Sequence, residues 1–110
     1  MAYPAITSQI QFKLTYTVYI LQCVDGSYYT GLTSNLIKRM AEHDAGLHIN
    51  SYTYTRRPVT LVYQEQHSDP NYASKREKQI KGWSRRKKIA MIEGRWGDLP
   101  GLAKGKQRKY

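Results

Sequence analysis

YTVYILQCVDGSYYTGLTSNLIKRMAEH, residues 16–43, is the stretch whose reading decides the fold. Thr17 to Val24 is rich in β-branched and aromatic side chains and predicts a strand. Asp25-Gly26 is a strong two-residue hairpin signal, because both central residues of a primed turn need φ > 0. Ser27 to Leu32 then returns as a second strand, with Tyr19 and Tyr29 on paired strands away from the turn. Gly31 lies inside that strand, where a glycine often marks close approach of another backbone or a ligand. Thr33 or Ser34 can cap the helix that follows. Leu36, Met40 and Leu47 lie near one stripe of that helix, with Ile37 and Ala41 beside it. Arg39 and His43 are four residues apart and share a face close to the stripe.

Working outward, Gly46 is placed to end the first helix. Ser51 to Arg57 is dense in Tyr, Thr and Arg, and Pro58 disfavours helix before it, so this is loop or edge strand. Val59 to Gln66 predicts a third strand, with Leu61 and Tyr63 on one face and Val62 on the other. Pro70 suits the first turn of a second helix that Gly82 ends after Lys81. Ser84 can cap a third helix through Glu93. The fold class predicted is α+β, a small three-stranded sheet, mixed or antiparallel, flanked by helices.

The 110 residues suffice for one domain with a modest core. Lys and Arg number 18 against 8 acids, a net charge of +10, which points to a polyanionic partner. Cys23 is the sole cysteine, so an internal disulfide is excluded and a reducing cytoplasm fits. A buried thiol is its expected state. No apolar run has membrane-spanning length and no signal-peptide pattern opens the chain.

Several side chains could carry chemistry. Ala73, Glu77 and Ile80 share a helix face, which puts a carboxylate beside an inward stripe amid Lys75, Arg76, Lys78 and Lys81. Such an acid needs a partner. Either it pairs with an arginine, Arg39 or Arg76, or it holds a divalent metal; Mg²⁺ is often bound by one or two carboxylates with water and phosphate. With ten tyrosines in the chain, Tyr16, Tyr28 and Tyr63 read as packing. A phenol is a poor base at its ordinary pKa, so catalysis by tyrosine needs a nearby cation or metal-bound hydroxide, and Arg39 can be that cation. Tyr52, Tyr54, Arg56 and Arg57 interleave rings with guanidinium groups, which suits unpaired bases and phosphates, or else forms a solvated edge. Lys75, Arg76, Lys78, Lys81, Arg85, Arg86, Lys87 and Lys88 surround a single acid and suit a nucleic-acid backbone. Trp83 reads as core.

Thr17-Val18-Tyr19 and Tyr29-Thr30-Gly31, with their tyrosines ten positions apart, resemble the two signature triplets of the GIY-YIG nucleases. Arg39 falls on the family's helix arginine and His43 on a histidine that many members place one turn later. Tyr54 to Pro58, Leu61 to Tyr63 and Ala73 to Lys81 resemble its small stand-alone bacterial branch, over roughly residues 16–92. The resemblance implies a GIY-YIG-like nuclease domain over 16–93; residues 1–15, which show no firm period, read as an extension, and 94–110, rich in Gly and Lys, as a flexible basic tail. It implies an endonuclease hydrolysing DNA phosphodiester bonds with Mg²⁺ or Mn²⁺ on Glu77, and no nucleotide cofactor or membrane. Tyr19 or His43 would accept the proton of the attacking water, Tyr29 would position water or phosphate, and Arg39 would bind the scissile phosphate. Members of that family often have a Tyr or His in this loop that contacts the site, Tyr54 being the first choice here and Tyr52 the second. Lys75, Arg76, Lys81 and Arg85 would grip nucleic acid. Many members carry an asparagine after the glutamate helix; no Asn follows Asn71. The alternative is a non-catalytic nucleic-acid-binding or accessory module of a DNA-repair complex.

Overall fold

The computed structural model describes residues 14–100; most of the extension read at 1–15 and of the tail read at 94–110, namely 1–13 and 101–110, lies outside the described residues. In chain order it forms β1 (Tyr16–Gln22), β2 (Tyr28–Thr33), α1 (Leu36–Ala45), β3 (Thr60–His67), α2 (Pro70–Lys81) and α3 (Arg85–Ile92). Short 3-10 turns occupy Tyr54–Arg56 and Trp96–Asp98. The sheet order is β2-β1-β3 and every pairing is antiparallel. The expected α+β class holds.

β1 is central, so both of its faces need cover. Val18 and Ile20 point to one side and join Ala73, Ile80 and Met91 from α2 and α3. Tyr19, Leu21 and Cys23 point to the other and join Val59, with Leu36 and Met40 of α1 packed against them. Cys23 is buried, and desolvation raises its thiol pKa, which makes it inert. Trp83 packs on the α2–α3 side, between the Arg76 guanidinium and the Lys87 ammonium, as expected of a core residue.

Four local expectations change. The hairpin is not a two-residue primed turn. Cys23 O accepts from Gly26 N–H at 2.9 Å and Cys23 N–H donates to Ser27 O at 2.8 Å, which makes a three-residue loop. Only Gly26 takes positive φ, at 85°, the single left-handed position such a loop needs; Asp25 instead accepts from the Ser27 N–H and hydroxyl. The α1 cap is Asn35, whose side chain accepts from Lys38 N–H at 3.0 Å. Thr33 braces that cap by accepting from Asn35 N–H. Of the α1 side chains, Leu36, Met40 and His43 turn inward, whereas Ile37 is 86% exposed. Finally, Ile20 pairs with Tyr63 while Leu21 pairs with Leu61, so Val62 is a bulge. The extra residue sends Leu61 and Tyr63 to opposite faces. Other signals read correctly: Gly46 ends α1 with a paired set of bonds to His43 O and Glu42 O, Pro70 opens α2 and Ser84 caps α3.

Arg76 is spent on the fold. Its Nε and Nη2 donate to both carboxylate oxygens of Glu65, at 2.7 and 2.8 Å, joining α2 to β3. Tyr63 O–H donates to the same carboxylate and His67 Nε2 lies 2.6 Å from it. Burial alone would raise the pKa of Glu65, but these bonds override it and hold the carboxyl at about 2. A pKa depressed by folding stabilises the protein above the unfolded value of about 4.3, and that stability is lost as pH falls towards 2. Glu65→Gln should therefore cost on the order of 3 kcal/mol at pH 7, from a shift of roughly two units. Denaturant melts of both proteins should converge as pH approaches 2; a gap unchanged between pH 7 and 2.5 would contradict this account.

Candidate active site

β1, β2, α1 and the 51–57 loop bring three rings together. Tyr19 stands opposite Gly31 in the sheet, and its ring lies across that glycine. A Cβ at position 31 would fall 2.5 Å from Tyr19 Cζ, so the close approach requires glycine there. Tyr29 lies on the same face, with ring centroids 6.3 Å from Tyr19 and 5.6 Å from His43. His43 reaches the pair from the last turn of α1.

The polar contacts form one chain. Tyr19 Oη is 3.0 Å from His43 Nε2, His43 Nδ1 is 2.9 Å from Thr53 Oγ1, and Thr53 Oγ1 is 3.0 Å from Ser51 Oγ. Tyr19 is 0% exposed and His43 and Thr53 are buried. Burial, with Tyr29 beside it, pushes the Tyr19 pKa up to about 12 against the opposing pull of the Arg39 guanidinium. Burial, then the charges of Arg39 and His48, lower the His43 pKa, so its imidazole is neutral at neutral pH. A neutral ring beside a protonated phenol can accept that phenol's proton.

Arg39 lies by the Tyr19 hydroxyl, its side chain 36% exposed, and its Nε donates to Glu42 at 3.2 Å. With Asn35 and Lys38 it lines an open cleft of about 120 Å³ at the start of α1. Glu77 pairs with neither Arg39 nor Arg76. Its carboxylate, on a side chain 17% exposed, meets Lys81 Nζ at 2.9 Å, and it lies near enough for its charge to act on Tyr19. Among the described residues no three His, Cys, Asp or Glu side chains converge, so a divalent ion here would have to be held by one or two carboxylates with water and phosphate. Glu77 fits that mode: it is largely sheltered and its cationic partner is a half-exposed lysine on a flexible stem.

The 51–57 loop is a turn entering the 3-10 helix, not a strand. Tyr52, not Tyr54, touches the ring cluster: it stacks on Tyr29 at 6.2 Å and 18°. Its ring carries the Arg56 guanidinium at 3.8 Å, and Arg56 also bonds Asp25. Arg57 lies over Tyr54 and donates to the carbonyls of Tyr54 and Asp44. Arg85 donates to Gly26 O at 2.7 Å and covers Tyr28. Lys75 and Lys81 are exposed on α2. His48 bonds Glu42, away from the rings. Thr53 and Ser51 escaped the sequence reading; a threonine ten residues after His43 carries no local signal, and only the loop's return identifies it.

Residues 15–90 match the model of the GIY-YIG catalytic domain. A UPF0213 protein of Staphylococcus haemolyticus is 53% identical over 78 residues, covering 71% of this chain and 94% of that protein. One from Desulfotalea psychrophila is 46% identical, covering 69% of each. The solution structure of an E. faecalis protein superposes with a TM-score of 0.55 at 31% identity, over 77% of this chain and 90% of that one.

Gly31→Ala tests the site's tightest packing. The added methyl should displace the Tyr19 hydroxyl from His43, costing about 1–3 kcal/mol of stability as overpacking does. Any activity that depends on the Tyr19–His43 contact should fall by on the order of 10²-fold. A crystal or NMR structure of the variant with that contact intact would contradict the assignment.

Proposed function

The chain belongs to the GIY-YIG catalytic-domain family, a nuclease family, and from that premise we propose that it is a divalent-metal-dependent endonuclease hydrolysing DNA phosphodiester bonds. The observation that carries the reading is the Tyr19–His43 pair: a buried phenol with a neutral imidazole at 3.0 Å, flanked by Arg39 and within reach of the Glu77 charge.

Arg39 and Lys38 line the cleft at the start of α1, where they hold the scissile phosphate. Arg39 donates to non-bridging oxygens and stabilises the charge that develops on them. Tyr19 is sealed here, so the partly exposed Arg39 side chain moves onto phosphate as substrate enters and opens the hydroxyl to the attacking water. Tyr19 takes the water's proton while its own passes to His43 Nε2, which gives both residues a part in proton transfer. Glu77 would hold Mg²⁺ or Mn²⁺, which when bound supplies further neutralisation of phosphate charge.

DNA lies along the exposed cations of α2 and α3, including Lys75, Lys78, Lys81, Arg85 and Arg86. Tyr52 is 42% exposed, stacks on Tyr29 and carries Arg56 over its ring; a base taking the place of that guanidinium would stack there, which supports a preference for unpaired strands. A role in DNA repair in the cytoplasm fits such a preference.

Glu77→Gln is the deciding experiment. Its Lys81 partner is an i,i+4 pair, worth roughly 0.3–0.5 kcal/mol, so the melt should barely change. Metal-dependent nicking of labelled DNA should disappear while binding stays equal or tightens, one negative charge having left a basic face. Undiminished nicking by the folded variant would remove Glu77 from the metal site; absence of nicking by the wild type with either ion, on single strands, duplexes, flaps and junctions, would leave the nucleic-acid-binding reading.

Deleting residues 101–110 removes Lys104, Lys106, Arg108 and Lys109. Affinity should fall about uniformly across sequences and its salt slope should become shallower. Loss of cleavage at saturating DNA would instead place the tail in the site.

A further inference from the structure

We propose that Thr53 is a positioning residue of the hydrolytic site, whose hydroxyl holds His43 as its Nδ1–H tautomer so that Nε2 is left as a base aimed at Tyr19. This rests on the nuclease reading for its catalytic consequence, but the tautomer itself does not.

The hydrogen-bond inventory decides between the two tautomers. Tyr19 Oη has one proton and is closed off from solvent. Among the described residues its hydrogen-bond partner is His43 Nε2. With the proton on Nε2, the imidazole would donate to Tyr19 and the phenol's own proton would have no acceptor. With the proton on Nδ1, Tyr19 donates to Nε2, Nδ1–H donates to Thr53 Oγ1 at 2.9 Å, and Thr53 bonds onward to Ser51 at 3.0 Å. The phenol proton and the imidazole proton then each have an acceptor.

Thr53 is placed for that task at the expense of a local one. It stands at the N-cap of the Tyr54–Arg56 turn, where a threonine hydroxyl ordinarily accepts from a backbone N–H, yet it makes no such bond. It is 1% exposed and its hydroxyl faces His43. The other groups around the imidazole set its charge: Arg39, Glu42 and Asp44 on α1, and His48 after it. Tyr29 of β2 packs edge-on against the ring. Thr53 supplies the hydrogen bond to Nδ1. In the reaction the water oxygen bonds phosphorus and the bond to the leaving oxygen breaks. The water proton goes to Tyr19 Oη, the Tyr19 proton to Nε2, and the leaving oxygen takes a proton from solvent. The resulting imidazolium keeps Nδ1–H on Thr53 and later returns its extra proton to solvent.

The test uses the full chain. Nitrogen-detected NMR of the wild-type imidazole should show a protonated Nδ1 and an unprotonated Nε2 on His43. Thr53→Val keeps the shape and removes the hydroxyl; His43 should become a mixture or the Nε2–H tautomer, and nicking at saturating substrate should fall by about 10²-fold, the lower end of what a positioned base supplies. Thr53→Ser should restore both the tautomer and most of the rate, which a role in packing alone would not predict. Wild-type His43 found as Nε2–H overturns the proposal, as does a Thr53→Val protein with unchanged tautomer and rate. Should Thr53→Val fail to fold, the wild-type spectrum and the Thr53→Ser rate decide. A wild-type chain that shows the Nδ1–H tautomer, lost in Thr53→Val, but never nicks DNA upholds the hold of Thr53 on His43 and overturns its hydrolytic role together with the nuclease reading.

Discussion

A phenol hydroxyl enclosed in the middle of a protein has to be given a hydrogen-bond partner by the fold, because leaving it unpaired away from water costs several kcal/mol. Tyr19 lies at the centre of the central strand, so the sheet buries it whatever its chemistry. The remedy comes from three separate places. Gly31 on β2 clears room for the ring, α1 delivers His43 to the hydroxyl, and the 51–57 loop folds back to satisfy the far side of that imidazole. The loop is itself fastened to the hairpin, through Arg56 O accepting from Val24 N–H and Arg56 Nε donating to Asp25. Fold and site therefore share one set of bonds.

The two inner carboxylates of the α2 region show how the same residue type is put to different use. Glu65 is saturated: Arg76 grips both oxygens, and Tyr63 and His67 add to them. It has little capacity left for a metal or substrate. Glu77 has Lys81, a flexible and half-exposed partner that can be drawn aside. A carboxylate kept sheltered but weakly held is what an ion with several retained waters requires. Arg76 is committed to Glu65, eleven residues away in sequence, and the partner of Glu77 is Lys81.

The parts legible in the chain were those with local chemistry. The paired tyrosine triplets, Pro70 at the start of α2, Ser84 before α3 and the glycines after α1 and α2 each act within a few residues, and each was read correctly. The misread parts depend on choices among equals or on distant partners. Thr33, Ser34 and Asn35 can all cap a helix, and where the backbone turns in selects Asn35. Apolar spacing places Leu47 near the inward stripe, but α1 ends at Ala45 and Leu47 is exposed; the last inward position of the helix belongs to His43, whose polar atoms are satisfied by Tyr19 and Thr53. The Val62 bulge follows from register against β1, which no pattern within β3 records. Tyr52 and Tyr54 are chemically alike, and the loop's path alone brings Tyr52 onto Tyr29.

The distribution of basic groups bears on how such a chain would meet nucleic acid. Arg56, Arg57, Arg76 and Arg85 donate to carbonyls or carboxylates of the protein and lie over its own rings. Their planar forks, the groups best suited to bidentate reading of guanine or phosphate, are already bonded to the protein, Arg76 in its interior and Arg56 and Arg85 at its surface. The exposed cations of α2 and α3 are mainly lysines, which act as hydrated point charges with no fixed fork. A surface of that kind attracts the phosphate backbone, loses affinity as salt rises and distinguishes poorly between base sequences. Selectivity would then have to come from the shape of the strand that the site admits, because the basic face itself carries little information about sequence.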